Sequence, residues 1–181
     1  MEMIKLKFTR LQSEIFRLLC IQVGKFLNQT AIAKKLKVSS TAVSKALLYL
    51  EKNNLVLIKK DKKMNLNLIE LNREGEGVIE LKRVENLKIF YESGIVKVLE
   101  EKFPGSIIIL FGSYSYGEDT SESDIDLAII GCKQKEVNFE KFEKLFEREI
   151  RVNFYTNLNE INSNLRSNIV NGIILSGRIE L

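Results

Sequence analysis

The chain has 181 residues, room for one large domain or two small ones. It contains no histidine, which excludes a Ser-His-Asp triad, a Cys-His pair and any His-ligated zinc site, and leaves carboxylates with a hard cation as the natural catalytic option. Charge divides unevenly: residues 1–84 hold 17 Lys and Arg against 8 Asp and Glu, and residues 85–181 hold 11 against 16. A basic half joined to an acidic half points to two domains with different partners. The basic half either attracts nucleic acid or is a lysine-rich solvated face. No apolar run reaches membrane-spanning length, Met1 to Lys7 lacks a signal-peptide core, and Cys20 and Cys132 have no ligand-like spacing. These features predict a cytoplasmic protein with two reduced cysteines and no membrane partner.

Apolar residues at Leu11, Ile15, Leu18, Leu19 and Val23 predict an amphipathic helix over 10–23, stopped at Gly24. Asn28 is a good N-cap for a short helix with Ile32 and Leu36 on one face. Lys37-Val38-Ser39 reads as a tight turn, and Ser39 or Ser40 caps a longer helix that turns Val43, Leu47 and Leu50 inward. Two short helices joined in this way form a helix-turn-helix. Strand-like runs over 55–60 and 66–71 flank a lysine-rich hairpin tip, Asp61-Lys62-Lys63-Met64-Asn65. Together, over 8–72, these segments resemble the MarR-like and ArsR-like winged helix-turn-helix domains of microbial regulators. The resemblance implies double-stranded DNA as a partner. It puts Thr41, Ser44, Lys45 and Tyr49 on the groove side of the recognition helix, and Lys59, Lys60, Lys62 and Lys63 on phosphates. The alternative is a winged domain used for protein contacts or dimerisation alone.

Asn72-Arg73-Glu74-Gly75-Glu76-Gly77 is a polar run with paired glycines and marks a domain boundary. Beyond it, Val84, Leu87, Tyr91, Ile95 and Val98 recur at spacings of three and four and predict one long helix over 78–103, ended by Pro104. Its C-terminal half is expected to cover the sheet that follows, and its N-terminal half to serve as a spacer or a homodimer seam.

The next stretch, Ser106 to Gly131, reads as strand, tight turn, short helix, strand. Ile107 to Phe111 is continuously apolar and suits a strand buried on both faces. Gly112-Ser113 ends it with a glycine that admits close approach to a ligand and a serine that offers a hydroxyl. Along the second strand, Ser123 to Ile130, side chains alternate, so Asp124 and Asp126 share one face. Two carboxylates about 4 Å apart repel by roughly 4 kcal/mol at an effective dielectric near 20. A divalent cation converts that cost into attraction, and Mg²⁺ favours one or two carboxylates with the oxygens of a substrate phosphate. The pattern therefore reads as a metal–nucleotide site, with Mg²⁺ or Mn²⁺ as the cofactor. Further on, 138–146 reads as a helix, 149–155 as a third strand, 158–170 as another helix and 173–175 as a closing apolar run.

Gly112-Ser113, Gly117-Glu118 and Ser123-Asp124-Ile125-Asp126-Leu127 resemble the signature of the DNA polymerase β-like nucleotidyltransferase superfamily, above all its minimal branch, over about residues 86–181. The resemblance implies that Gly112, Ser113 and Ser123 bind a nucleoside triphosphate. It implies that Asp124 and Asp126 hold the metal while a hydroxyl attacks in line, and that a small toxin-like protein is a possible acceptor. It also implies a third acid on the next strand, where this chain has Arg151 or Asn153. Glu149 is the candidate replacement, on the same face but two or four residues away, about 7 or 13 Å along a strand. Tyr114 and Tyr116 stand where the family often has basic residues.

The predicted fold class is α+β: a winged helix-turn-helix over 1–75, a linker helix over 76–103 and a small mixed-sheet nucleotidyltransferase-like domain over 104–181. Three functions stay open: a working nucleotidyltransferase, a transcription regulator whose second domain senses nucleotide or a partner, and a structural interaction module.

Overall fold

The computed structural model describes residues 7–62 and 65–179, so Lys63 at the predicted hairpin tip lies outside the described residues. Contacts divide the chain into two units, Met1–Val78 and Ile79–Leu181.

In the first unit, α1 (Arg10–Ile21) starts at a reciprocal capping box between Thr9 and Gln12. A two-residue strand, β1 (Leu27–Asn28), runs into α2 (Gln29–Leu36), whose first turn is capped by Asn28 through the Ala31 N–H at 2.8 Å. The turn between helices is made by Lys37 in the left-handed region, φ 55°. Ser39 then caps α3 (Ser40–Lys52) through the Ala42 N–H. Strands β2 (Val56–Asp61) and β3 (Leu66–Leu71) form an antiparallel hairpin, and β1 adds to its β3 edge, giving the order β1-β3-β2. Ile15, Phe16, Leu19, Ile32, Val43, Leu47, Leu50 and Ile69 are buried, so three helices close over the base of the hairpin. Helix, strand, two helices and a hairpin in this order make a winged helix-turn-helix.

The second unit opens with α4 (Val78–Glu92) and α5 (Ile95–Lys102). The single helix expected over 78–103 is therefore broken. Gly94 takes φ +79°, and the Ser93 hydroxyl donates to Phe90 O and accepts from the Ile95 N–H. On α4, Val84 and Tyr91 are exposed, while Val78, Lys82, Asn86, Ile89 and Phe90 are buried.

After α5, β4 (Ile107–Phe111) leads into the short α6 (Gly112–Tyr116), then β5 (Ile125–Ile130), α7 (Glu140–Phe146), β6 (Ile150–Tyr155), a 3-10 turn at Leu158–Glu160, α8 (Ser163–Val170) and β7 (Ile173–Ser176). The helix expected over 158–170 is split because Asn162 caps α8 afresh through the Leu165 N–H. The sheet order is β6-β5-β4-β7, with β5 and β6 parallel and the other pairs antiparallel. Ile109, Phe111, Ala128 and Ile130 bury one face of the sheet with Ile161 and Ile169. Phe90 of α4 stacks on Phe146 of α7 at 5.4 Å, and both lie near Tyr114 of α6.

The loop between α6 and β5 is fixed by a buried charge cluster. Asp119 is fully buried, and its Oδ1 accepts from Lys82 Nζ and, at 2.8 Å, from Asn86 Nδ2. Its Oδ2 lies 3.3 Å from Arg148 Nη2. One carboxylate thus ties α4, the loop and the residues before β6 together. Removing it takes the carboxylate from two buried cations, so Asp119→Ala is expected to cost about 3–5 kcal/mol in urea unfolding, against less than about 0.5 kcal/mol for exposed Glu122→Ala. Similar costs for the two would contradict this role.

Candidate functional site

The site is built at one end of the second sheet, where β4 finishes and β5 and β6 begin. Phe111 pairs with Asp126 across β4 and β5, and Asp126 pairs with Arg151 across β5 and β6. This register brings the glycine turn, the carboxylates and the start of β6 together. Gly112 has φ +71°, and a Cβ there would sit 2.6 Å from Asp126 Oδ2. Only glycine lets the chain turn with this carboxylate lying against it. Gly117 serves packing: a Cβ would meet Ile79 O at 2.5 Å and Arg83 N at 2.7 Å, so α4 crosses directly over it.

Asp124 stands one residue before β5, and Asp126 within it. Both are half-buried. Burial, and then the charge of Asp124, push the Asp126 pKa up, while Arg151 pulls it down. Asp124 Oδ2 lies 2.7 Å from Arg151 Nη1, and Glu149 Oε1 is 3.7 Å from Arg151 Nε. Glu149 sits before β6, and its side chain is largely exposed. The residue beside Asp126 is thus Arg151, whereas Asn153 pairs with Ala128, farther from the turn. Ser113 follows the turn directly and is half-buried. The Ser123 hydroxyl is engaged locally, accepting from the Thr120 N–H at 2.9 Å, which closes the loop before Asp124. Tyr116 donates to Asn171 O, and the Tyr114 ring is buried.

Asp124 and Asp126 are the residues that could hold one hard divalent cation, which would draw its remaining ligands from phosphate and water oxygens. Burial is the larger cause of the raised Asp126 pKa and repulsion from Asp124 the smaller one, and a cation would offset that repulsion. Among the described residues no cluster of three Asp, Glu, Cys or His is placed to hold a metal. Sequence reasoning missed Lys82, Asn86, Asp119 and Arg148, because their contacts join residues far apart in the chain.

In the winged unit, Thr41, Ser44 and Lys45 are exposed along one stripe of α3. Lys60 and Lys62 are exposed on the hairpin. Lys59 is engaged: it pairs with Glu70 at 2.6 Å and lies over the Phe26 ring. Tyr49, expected on the groove side, is drawn away from that stripe. Its ring meets Phe8 edge-on, and its hydroxyl accepts the Lys7 N–H. No helix among the described residues is long and apolar enough to cross a membrane, and Cys20 and Cys132 are not in disulfides.

Residues 93–180 match the family model described as Polymerase beta, Nucleotidyltransferase. Two curated proteins of Methanocaldococcus jannaschii are similar. "Putative protein adenylyltransferase MJ1379" is 39% identical over 51 residues, 28% of this chain and 51% of that protein. "Putative protein adenylyltransferase MJ0604" is 55% identical over 38 residues, 20% of this chain and 38% of that one. The chain thus spans about half or less of the curated relatives it matches. Among solved structures, a ZitR variant of Lactococcus lactis aligns with TM-score 0.43 at 25% identity, covering 57% of this chain and 67% of that one. MepR, a transcription regulator of the Staphylococcus aureus multidrug efflux pump MepA, aligns with TM-score 0.41 at 25% identity, covering 53% and 69%. Residues 93–180 of this chain thus carry a nucleotidyltransferase domain.

Proposed function

We propose that the second unit binds a nucleoside triphosphate with one Mg²⁺ or Mn²⁺ and slowly transfers its nucleoside monophosphate to a hydroxyl, breaking the bond between the α- and β-phosphates and releasing pyrophosphate, and that the winged unit binds duplex DNA. The observation that carries the nucleotide reading is the Asp126 carboxylate lying against the Gly112 turn, with Asp124 beside it. In this reading Asp124 and Asp126 hold the cation, Gly112 and Ser113 meet the phosphates, and Ser123 holds the loop in place. A bound cation supplies neutralisation of phosphate charge. Glu149, exposed at the mouth, is the group available to take the proton of the attacking hydroxyl. The acceptor is a protein, a toxin-like partner in particular, or a small molecule, and the protein works in the cytoplasm, alone or as a homodimer.

A second reading rests on Arg151. A guanidinium beside Asp126 cannot act as a base, which favours a regulator whose second domain binds nucleotide with little turnover. Loss of a general base typically costs about 10² to 10⁴-fold. Incubation with labelled ATP, GTP, CTP and UTP is expected to give slow transfer at best. Arg151→Asp should raise it and Asn153→Asp should not, whereas fast labelling that survives Glu149→Gln would contradict the assignment.

Metal dependence and stability test the carboxylates together. In calorimetry Mg²⁺ or Mn²⁺ should tighten ATP binding, and Asp126→Asn should weaken it by about tenfold or more, a loss of roughly 1.4 kcal/mol. Equal affinity in EDTA would contradict the reading. Because the folded-state pKa of Asp126 is raised, its contribution to stability is present below the unfolded carboxylate pKa and is lost as pH rises through the folded value. Without metal, Asp126→Asn should therefore melt higher than wild type at pH 7, and the gap should close towards about pH 4.

For the winged unit, each phosphate contact adds about 0.9 to the slope of log affinity against log salt. Lys62→Ala or Lys60→Ala should make that slope shallower by about 0.9, and Lys59→Ala by less, since Glu70 already engages it. An unchanged slope in the first two would take the wing off the DNA backbone.

A further inference from the structure

We propose that Arg151 is a resident counter-cation of the carboxylate pair: it competes with divalent metal for Asp124 and, without metal, supplies the positive charge that a nucleotide's phosphates meet. This rests on the reading of Asp124 and Asp126 as a cation site.

Arg151 is placed by the sheet itself, since its backbone is in register with Asp126. Its Nη1 lies 2.7 Å from Asp124 Oδ2, within the range of a charge-assisted hydrogen bond. Its Nε reaches towards Glu149 at 3.7 Å. Asp124, Asp126 and Glu149 bring three negative charges to this end of the sheet, and Arg151 returns one positive charge. A metal ion approaching Asp124 must therefore displace a charge already held there. That charge is permanent, because a guanidinium does not lose its proton in a protein. The guanidinium carries five N–H donors in a planar fork matched to phosphate. More than half of the Arg151 side chain is exposed, so the fork is open to a ligand from solvent. A lysine there would offer a point charge without the fork, and a carboxylate would reverse the sign of the position.

The test uses the full chain, with Mn²⁺ alone as one probe and ATP in EDTA as the other. Mn²⁺ binding is read by electron paramagnetic resonance without nucleotide, and ATP binding by calorimetry. Arg151→Ala and Arg151→Gln are expected to bind Mn²⁺ about tenfold more tightly than wild type and to lose at least about tenfold of the metal-free ATP affinity. Arg151→Lys should fall between. Mn²⁺ affinities within about twofold of wild type, or undiminished metal-free ATP binding, would overturn the inference. Asp126→Asn separates this failure from a deeper one. If Asp126→Asn weakens Mn²⁺ binding while the Arg151 variants match wild type, the cation site stands and the role of Arg151 falls. If wild type and every variant are equally indifferent to Mn²⁺, the cation site and this inference fall together.

Discussion

The second unit depends on one buried carboxylate. Asp119 holds Lys82, Asn86 and Arg148 around itself with no exposure to solvent. A lone buried charge is costly, and so is each cation left without it. The cluster therefore fixes three elements at once: α4, the loop after α6 and the entry to β6. The loop is the segment that delivers Asp124 to the site. The entry to β6 sets where Glu149 and Arg151 stand. A change at Asp119 would reach the functional end of the sheet through position, without touching a ligand.

Charge is then arranged in two tiers. Deep in the unit, two cations surround one anion. At the surface the balance reverses, with three carboxylates around one guanidinium. The surface tier is incompletely compensated, and burial together with the neighbouring Asp124 raises the Asp126 pKa. On the proposed reading, a cation would relieve that imbalance, and the Gly112 turn, against which Asp126 lies, would meet the phosphate. Arg151 returns one positive charge to this end of the sheet, and a guanidinium at that position of β6 cannot act as a base.

The sequence made much of this legible. The capping residues Asn28 and Ser39, the hairpin around Asp61 and the spacing from Gly112 to Asp126 all carry local rules that need no tertiary context. The strand-turn-strand of the site was readable because its apolar runs are continuous and its acids alternate. What escaped depends on distant partners. On α4 the apolar residues Val84 and Tyr91 face outward while Lys82 and Asn86 are buried, because Asp119, far along the chain, makes their burial tolerable. Periodicity weighs hydrophobicity alone and gives no sign of this buried polar face. The choice between Arg151 and Asn153 beside the carboxylates likewise required the β5–β6 register, which a parallel pair without a connecting hairpin does not encode locally. The contact of Tyr49 with Phe8, which precedes the first helix, was likewise not legible locally.

The central claim is that the glycine turn and the carboxylate pair form one cation-binding nucleotide site. Paramagnetic broadening of backbone amide signals by Mn²⁺ at low stoichiometry, with and without ATP, tests it most directly. The account predicts selective loss of the signals of Gly112, Ser113 and residues 124–126, strengthened by ATP and abolished in Asp126→Asn. Broadening that spares these amides, or that spreads evenly over exposed acidic residues of the second unit, would contradict it.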